Sequence, residues 1–327
     1  MRIALLHIKE AADPPEDPVL RQLEDALRDI GHESFRVPVD EHVEPVVSAL
    51  TQGAPDLVFN MAESFRGKSA LESNVAGLLN LLGLRYTGSS PAGLLVAGDK
   101  TLTKKVLTFH GIRTPQFATV FRGALDHAGD LHFPVIVKPP QEDASLGISA
   151  KSVVRDLKGL LETMDGLQKE FNQPALVEEF IEGREFYVGV LGNDHPMALP
   201  VIELDFSKFP AGKPKIASWA AKWGDEGSGS GAEFAGTESI FPENLQTDLV
   251  ERMQQVAIDS FNALKLRDYA RVDLRVNERG KIFVIEVNPN CYLERESEFA
   301  RAAARAGLEY PALIERLVEL ATARYAR

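Results

Sequence analysis

The chain has 327 residues, of which 44% are hydrophobic and 26% charged, which is the composition of a folded protein with two or three domains. Its formal net charge of −12 disfavours nonspecific binding to the phosphate backbone of nucleic acids, so we expect no nucleic-acid partner. A single cysteine, Cys291, excludes an intramolecular disulfide and favours a cytoplasmic location. The apolar run at residues 1–6 is too short for a signal peptide or a membrane span, so we expect no membrane association.

The N-terminal region predicts strands and helices in alternation. Residues 3–8 are an apolar strand, and the helix after it carries apolar side chains at helical spacing up to Gly31, which ends it as a C-cap. A second buried strand at residues 56–61 is followed by a helix that stops at Gly83. Alternation of this kind predicts a parallel sheet covered by helices, so we assign residues 1–100 to an N-terminal α/β domain.

Residues 101–192 predict a second domain with an antiparallel sheet. Glycine-containing turns and one helix join its strands, which is the pattern of an α+β unit. We expect strands at residues 134–138, 148–154, 175–181 and 186–191.

Residues 193–327 predict a third domain, with a strand at residues 197–204, a helix at residues 245–264, two further strands and a last helix from Pro311. A glycine- and serine-rich stretch at residues 224–231 cannot bury much surface and should be mobile. Two interpretations of this stretch are open: a lid over an active site, or a surface loop without function.

The most informative segment predicts a β-hairpin at residues 269–290. Arg271 and Asp273 share one face of its first strand, because residues two apart point the same way. Glu286 and Asn288 share a face of the second strand for the same reason. If the loop has an even number of residues, Asp273 lies opposite or diagonal to Glu286, and directly opposed Cβ atoms are about 4.5–5.5 Å apart.

Two carboxylates at this distance repel each other unless a cation lies between them. Mg²⁺ is the natural cation here, because it binds one or two carboxylates together with phosphates and water. Asn288 adds a neutral oxygen to the set. The alternative is that Arg271 neutralises the carboxylates on a solvated face of the hairpin, and the pattern alone leaves both interpretations open.

Two further segments suit a nucleotide. Lys138 ends an apolar strand, and the loop of small residues after it, which contains Ser145, can point backbone N–H groups at a phosphate. The alternative is a lysine that extends its ammonium to solvent at a strand end. Residues 176–186 present backbone groups and an apolar wall to a base and a carboxylate to a ribose, although acidic residues at strand ends are usually just solvated.

In this order and spacing, the segments resemble the ATP-grasp superfamily, and within it the D-alanine–D-alanine ligase-like branch. The resemblance covers nearly the whole chain and depends on the ordered set rather than on any one motif. The matching segments are Tyr86-Thr87-Gly88-Ser89 with Asp99-Lys100, Val135-Ile136-Val137-Lys138-Pro139 with Ser145 and Gly147, Glu178-Glu179 with Gly183, Glu185 and Phe186, Arg271 with Asp273, and Glu286 with Asn288-Pro289.

The resemblance implies an ATP-grasp fold, α/β overall and α+β in its ATP-binding part. In this fold an N-terminal parallel-sheet domain precedes two α+β subdomains that clamp ATP. The implied nucleotide-binding residues are Lys100, Lys138 and the lid lysine Lys222 at the phosphates, Glu178 and the backbone of Phe180 and Ile181 at the adenine, and Glu185 at the ribose.

The resemblance also implies a metal site and a mechanism. Asp273, Glu286 and Asn288 would bind one or two Mg²⁺ ions, with Mn²⁺ as an alternative ion. Arg271 would stabilise the oxyanion of a tetrahedral intermediate, Ser145 would lie at the transferred phosphate, and Lys222 would assist from the lid. The implied enzyme is an ATP-dependent, ADP-forming ligase that joins a carboxylate to an amine through an acyl phosphate.

The chain departs from the resembled branch where that branch reads D-alanine. The branch's glycine pair after the first strand is absent, residues 60–67 replace a glycine-containing motif, and Cys291-Tyr292 stand in place of Pro-Gly. We therefore expect amino acids or small amino-acid derivatives as substrates, and not two molecules of D-alanine. The candidate substrate-binding residues are Arg66, Arg295 and Ser297.

The nearest alternative is a genuine, divergent D-alanine–D-alanine ligase of cell-wall synthesis. An ATP-grasp kinase and a nucleotide-binding protein without turnover are further alternatives, although the complete metal set argues against the last. Dimers are common in the resembled family, so a homodimer is a further open question.

Overall fold

The computed structural model describes residues 1–9, 17–142, 145–218 and 236–326. Its N-terminal sheet has three parallel strands in the order β2–β1–β3. The strands are β1 (Arg2–Ile8), β2 (Glu33–Val39) and β3 (Leu57–Met61). The parallel sheet that the alternating pattern predicts is therefore confirmed.

Alternate side chains of β1 enter two apolar clusters on opposite faces of this sheet. One cluster contains the apolar faces of α1 (Pro18–Asp29) and of the last helix of the chain, α9 (Tyr310–Arg324). The other contains those of α2 (Val43–Gly53) and α3 (Glu72–Leu81). Because both faces are covered, β1 has a continuous apolar run rather than an alternating one.

Two short helices, α4 (Pro91–Ala97) and α5 (Lys100–Phe109), lead from the N-terminal sheet to the next. Asp99 caps α5, because its carboxylate accepts hydrogen bonds from two backbone N–H groups of the first turn. Lys100 and Lys104 are four residues apart on α5 and therefore share a face of it.

The second sheet has five antiparallel strands in the order β5–β4–β8–β6–β7. The strands are β4 (Phe117–Phe121), β5 (Ala124–Ala128), β6 (Val135–Lys138), β7 (Val153–Val154) and β8 (Ala175–Glu179), and α6 (Leu157–Phe171) packs on β6 and β8. The strand expected at residues 148–154 is largely wrong, since Ala150–Ser152 form a 3-10 turn. The Ser149 side chain caps this turn, and such local hydrogen bonds compete with a sheet ladder.

The third sheet has six strands, in the order β12–β11–β9–β13–β14 with β10 paired to β9. The strands are β9 (Arg184–Leu191), β10 (Met197–Ala198), β11 (Ile202–Asp205), β12 (Glu238–Ile240), β13 (Tyr269–Val276) and β14 (Ile282–Pro289). Strand β9 precedes residue 192, yet it pairs with β11 and β13 in this sheet. The division of the chain at residues 100 and 192 stays a prediction.

The single strand expected at residues 197–204 is interrupted. Between β10 and β11 lies Pro200, which has no N–H group to donate to a ladder. The N–H of Leu199 still donates to the carbonyl oxygen of Gly189 on β9, and beyond Pro200 the pairing with β9 resumes as β11, shifted by one residue.

Two helices complete the C-terminal part, α7 (Thr247–Ala263) and α8 (Glu298–Arg305). Helix α7 lies where the sequence predicts a helix, and Met253, Ala257 and Phe261 on it pack into the same apolar cluster as β9 and β13. Within the described ranges, no helix is both long and apolar enough to cross a membrane.

The hairpin formed by β13 and β14 is held at its open end by residues outside the third sheet. The N–H of Gly88 donates to the carboxylate of Asp268, at 2.7 Å, and Asp268 directly precedes β13. The N–H of Ser89 donates to the side-chain oxygen of Asn290, at 2.8 Å, and Asn290 directly follows β14. Arg324, at the end of α9, also donates to Asp268, at 2.6 Å. The loop of Gly88 and Ser89 and the end of α9 thus fix the position of the hairpin.

Candidate active site

Asp273 on β13 lies directly opposite Glu286 on β14. The loop between the strands, residues 277–281, has an odd number of residues and by itself would place Asp273 opposite Ile285. A β-bulge follows Asp273 and leaves Ile285 as the extra residue, which shifts the register by one. Asp273 therefore faces Glu286, as predicted for a loop with an even number of residues. It does so because the bulge compensates for a loop with an odd number of residues.

Arg271 lies between two carboxylates. Its Nε and Nη2 donate to the two oxygens of Asp273 at 2.7 and 3.0 Å, and its Nη1 is 3.4 Å from Glu298. The guanidinium also lies over the ring of Tyr187, 4.6 Å from its centroid. Burial by itself would lower the pKa of Arg271, but the neighbouring carboxylates raise it well above its usual value. The result is a partly buried cation in a fixed orientation, which suits the stabilisation of an oxyanion.

The other members of the predicted metal set lie beside Asp273. Asn288 Nδ2 donates to Asp273 Oδ2 at 3.1 Å. Lys100 Nζ is 2.7 Å from Glu286 Oε1 and also donates to the carbonyl oxygen of Glu142 at 2.5 Å. The hairpin therefore brings Asp273, Glu286 and Asn288 together at one edge.

These three side chains fit a Mg²⁺ ion by their chemistry, because carboxylate and amide oxygens are the hard donors that it prefers. No group of three or more His, Cys, Asp and Glu side chains in the described part of the chain could hold a metal ion by itself. The protein would thus supply two carboxylates and an amide, and phosphate and water oxygens would complete the shell.

Glu178 on β8 lies between two lysines. Lys104 Nζ is 2.6 Å from its Oε2, and Lys138 Nζ contacts its Oε1. Burial opposes ionisation of this carboxylate, but the two lysines outweigh it and keep the pKa of Glu178 below its usual value. Lys104 is not among the site residues predicted from the sequence, although its place one helical turn after Lys100 was an available signal.

Arg275 is a second residue of the site that was not predicted from the sequence. Its Nε and Nη2 donate to Glu185 at 3.1 and 2.7 Å, and its Nη1 donates to the carbonyl oxygen of Ile181 at 2.9 Å. Its guanidinium lies over the ring of Phe180, 5.1 Å from the centroid. One buried arginine therefore holds three of the predicted nucleotide-binding residues. The available signal was its place two residues after Asp273, on the same face of β13.

A cleft is lined by residues of the second and third sheets. The predicted site residues that line it are Lys138, Ser145, Glu178, Phe180, Ile181, Glu185, Asp273 and Glu286. Ser145 has a φ of +62° and donates to the carbonyl oxygen of Ala217 at 2.6 Å. Isoleucines and Pro115 contribute apolar walls. Apolar walls with a few convergent charged groups are typical of a small-molecule site.

A second pocket, of about 150 Å³, lies at the open end of the hairpin. Its polar lining includes His7, Asp17, Glu63 and Tyr292, and its apolar lining includes Val19, Leu20, Met61 and Leu293. The Tyr292 hydroxyl donates to Asp17 Oδ1 at 2.7 Å. Because Asp17 also caps α1, this hydrogen bond joins the end of the hairpin to the N-terminal domain.

Comparison with known proteins decides the family. The family model for the C-terminus of D-ala D-ala ligase matches residues 106–319, which is more than half of the chain. The D-alanine–D-alanine ligase of Pelotomaculum thermopropionicum is 31% identical over 287 residues, which cover 84% of this chain and 83% of that protein. The chain belongs to the D-alanine–D-alanine ligase family. The predicted class of enzyme, an ATP-dependent, ADP-forming ligase of carbon–nitrogen bonds, is confirmed.

Two further proteins match nearly the whole length of this family member. An uncharacterized protein of Sinorhizobium fredii is 32% identical over 319 residues, which cover 95% of this chain and 89% of that protein. Among solved structures, the D-alanine–D-alanine ligase of Bacillus anthracis complexed with ATP matches with a TM-score of 0.75 at 23% identity. The match covers 100% of this chain and 99% of that one, and it confirms the ATP-grasp fold.

In this D-alanine–D-alanine ligase family member, the predicted substrate-binding residues lie outside the described lining of both cavities. Arg66 is exposed and donates to a backbone carbonyl oxygen at 2.7 Å. Arg295 lies over the ring of Tyr310, and Ser297 caps α8. Lys222 and the stretch at residues 224–231 lie outside the described residues. The roles of all four side chains stay predictions.

Proposed function

We propose that this enzyme joins the carboxylate of one small molecule to the amine of another, with ATP in the cleft and an amino acid in the second pocket. The course of strand β13 supports this most. Tyr269, at its start, lines the second pocket, and Asp273, four residues on, lines the cleft. Arg271 lies between them on the same face, and the two ends are about 13 Å apart at the usual rise of a strand. One strand thus connects the two cavities, with a partly buried cation midway.

The reaction has two steps, because a carboxylate is a poor electrophile. An oxygen of the substrate carboxylate attacks the γ-phosphorus of ATP, the bond from that phosphorus to the bridging oxygen breaks, and ADP leaves. The product of this step is an acyl phosphate. The amine of the second substrate then attacks the acyl carbon, loses a proton, and expels inorganic phosphate to leave an amide.

The residues at the cleft would bind the nucleotide and neutralise its charge. Lys100 and Lys138 would face the phosphates of ATP. Asp273, Glu286 and Asn288 would hold Mg²⁺, which when bound neutralises charge on the transferred phosphoryl group. Glu178 and the backbone of Phe180 and Ile181 would bind the adenine, and Glu185 the ribose. Arg271 would stabilise the oxyanion that forms when the amine attacks.

The second pocket suits the amine end of an amino acid. Asp17 and Glu63 supply carboxylates, and neither lysine nor arginine is among the described residues that line it. Val19, Leu20 and Met61 form an apolar part beside them. A pocket of about 150 Å³ has room for a side chain larger than a methyl group. We therefore propose that at least one substrate is an amino acid with an apolar side chain larger than that of alanine.

The second candidate is a genuine D-alanine–D-alanine ligase. Named relatives that match most of the chain, such as the one from Pelotomaculum thermopropionicum, carry that name. The residues after Asn288 argue against this second candidate, because they differ from those of the resembled branch. Among them, Tyr292 reaches across the second pocket to Asp17.

A release assay separates these candidates. ADP and inorganic phosphate are measured with ATP, Mg²⁺ and pairs drawn from a panel of D- and L-amino acids, and products are weighed by mass spectrometry. An amide is lighter by one water than the sum of its two parts, whereas the product of a kinase is heavier than its substrate by one phosphoryl group. Turnover confined to D-alanine would establish the second candidate. Absence of turnover with every pair would count against a ligase of amino acids.

A further inference from the structure

Lys104 on α5 lies behind the cleft. Its Nζ is 2.6 Å from Glu178 Oε2 and 3.4 Å from the carbonyl oxygen of Ile285. Among the described residues that line the cleft, Glu178 and Ile285 are present and Lys104 is not. The side chain is only 2% exposed, so its ammonium reaches Glu178 from the side away from the cleft. A lysine is rarely buried to this extent without a specific partner.

The two cations on Glu178 differ in where they lie. Lys138 lines the cleft and has a side chain that is 11% exposed, so it can turn towards a nucleotide phosphate. Lys104 has no such route. When Lys138 turns to a phosphate, Glu178 keeps Lys104 as its charged partner. Without Lys104, the carboxylate would be left buried with no cation, which is strongly unfavourable, and it would therefore retain Lys138 for itself.

The Lys104 ammonium also contacts the hairpin, through the carbonyl oxygen of Ile285. Ile285 is the extra residue of the bulge in β14, and a bulged residue lies outside the regular ladder. Its carbonyl oxygen is at the long end of hydrogen-bond range from Lys104 Nζ. The ammonium is thus held between the strand of Glu178 and the hairpin of Glu286.

We propose that Lys104 is a positioning residue for ATP binding, which acts through Glu178 by leaving Lys138 to serve the phosphates. It does not touch the nucleotide itself. The inference depends on the proposed function only in that the cleft binds ATP. It does not depend on which substrates are joined.

The test is the binding of ATP with Mg²⁺ to the full chain, measured by calorimetry, for wild type, Lys104→Met and Lys105→Met. Lys105 is the matched control, since it is the next residue on α5 and pairs with Asp126 at the surface. We expect Lys104→Met to bind ATP about tenfold more weakly or worse, and Lys105→Met to bind as wild type does. In turnover, KM for ATP should rise by a similar factor while KM for the amino acid changes less than about twofold. ATP affinity within about twofold of wild type in folded Lys104→Met would overturn the proposal.

A double variant keeps the proposal open to refutation if Lys104→Met does not fold. Lys104→Met combined with Glu178→Gln removes the pair together and leaves no buried carboxylate without a cation. If Lys104 acts through Glu178, this double variant binds ATP within about twofold of Glu178→Gln alone. A further tenfold loss, roughly, would contradict the inference.

The two proposals can fail separately. A wild type that binds ATP but releases no ADP with any amino-acid pair would count against the ligase reaction and leave the role of Lys104 intact. A wild type that does not bind ATP with Mg²⁺ would overturn both.

Discussion

Gly88 and the side chain of Asn290 are so close that a Cβ built on Gly88 would lie 2.8 Å from the side-chain amide carbon of Asn290. Gly88 also has a φ of +88°, in the left-handed region that side chains other than glycine rarely adopt. The neighbouring Ser89 N–H donates to Asn290, so the loop and the end of β14 are joined at this point. Two independent constraints therefore require glycine at position 88.

We expect Gly88→Ala to destabilise the protein by roughly 2–4 kcal/mol, because it adds backbone strain to a steric clash. Activity should also fall, since the clash would displace the end of the strand that carries Glu286 and Asn288. Unfolding in urea, followed by circular dichroism, measures the first effect. Gly77→Ala is the control: it lies in α3 with open space around it, and it should be neutral or stabilising by up to about 1 kcal/mol. Equal stability of the two variants would contradict this prediction.

Asp273→Asn should lower turnover by about a hundredfold or more while the fold is retained. Asparagine has the same shape and keeps an acceptor for Arg271, but it removes one of the two carboxylates that face each other across the hairpin. The measurement is ADP release at a series of Mg²⁺ concentrations, with circular dichroism as a check on folding. Asp248→Asn changes an exposed partner of Arg252 and should leave turnover unchanged. Near-normal turnover of Asp273→Asn would exclude the proposed metal site.

Tyr292→Phe tests the second pocket. Burial, and next the hydrogen bond with Asp17, raise the pKa of Tyr292, so the hydroxyl stays protonated and donates at neutral pH. Its removal should cost about 1 kcal/mol of stability or less and raise KM for the amino-acid substrate about threefold or more. KM for ATP should not change, because the pocket and the cleft are separate cavities.

Tyr325→Phe is the matched control for this measurement. Within the described chain, the Tyr325 hydroxyl is buried without a hydrogen-bond partner. Its removal should therefore leave both KM values and the stability nearly unchanged. A rise in KM for ATP with Tyr292→Phe would show that the two cavities are not independent.

Glu178→Gln should destabilise the protein by roughly 3–5 kcal/mol at neutral pH, because it leaves buried lysines without their carboxylate. The pKa of Glu178 is lowered in the folded state, so its contribution is present above the unfolded value and is lost as pH falls through the folded value. The stability difference between wild type and variant should therefore narrow as pH falls below about 4.5. Urea unfolding from pH 7 down to pH 3.5 measures it. Glu24→Gln is the control. It removes a half-buried partner of Arg36 and should lower the free energy of unfolding by less than about 1 kcal/mol.

Much of the N-terminal domain was predictable from local pattern. The apolar run of β1 and the helical spacing in α1 each reflect burial against one neighbour, so a short window of sequence contains the information. The prediction failed at residues 148–154, where Ser149 forms a capped turn instead of a strand. There the decision depends on side-chain hydrogen bonds that an apolar pattern does not register.

The candidate site was likewise predictable only in part. Side-chain alternation along β13 and β14 predicts which of Arg271, Asp273, Glu286 and Asn288 share a face, because a strand has a period of two. Lys104 and Arg275 were missed, since a buried lysine or arginine has no local signature that separates it from a solvated one. Only its partner, which is distant in sequence, reveals its role.

By itself, the sequence determined the order of the ATP-grasp motifs, the faces of the hairpin strands and the family. The tertiary structure decided that Asp273 meets Glu286, because an odd loop and a bulge compensate each other. It also decided that Glu178 shares two lysines from different elements and that Tyr292 reaches Asp17, 275 residues away in the chain. Local patterns report which side chains are buried and in which direction they point. Which charged groups then meet depends on how the sheets are brought together, and that is a property of the whole fold.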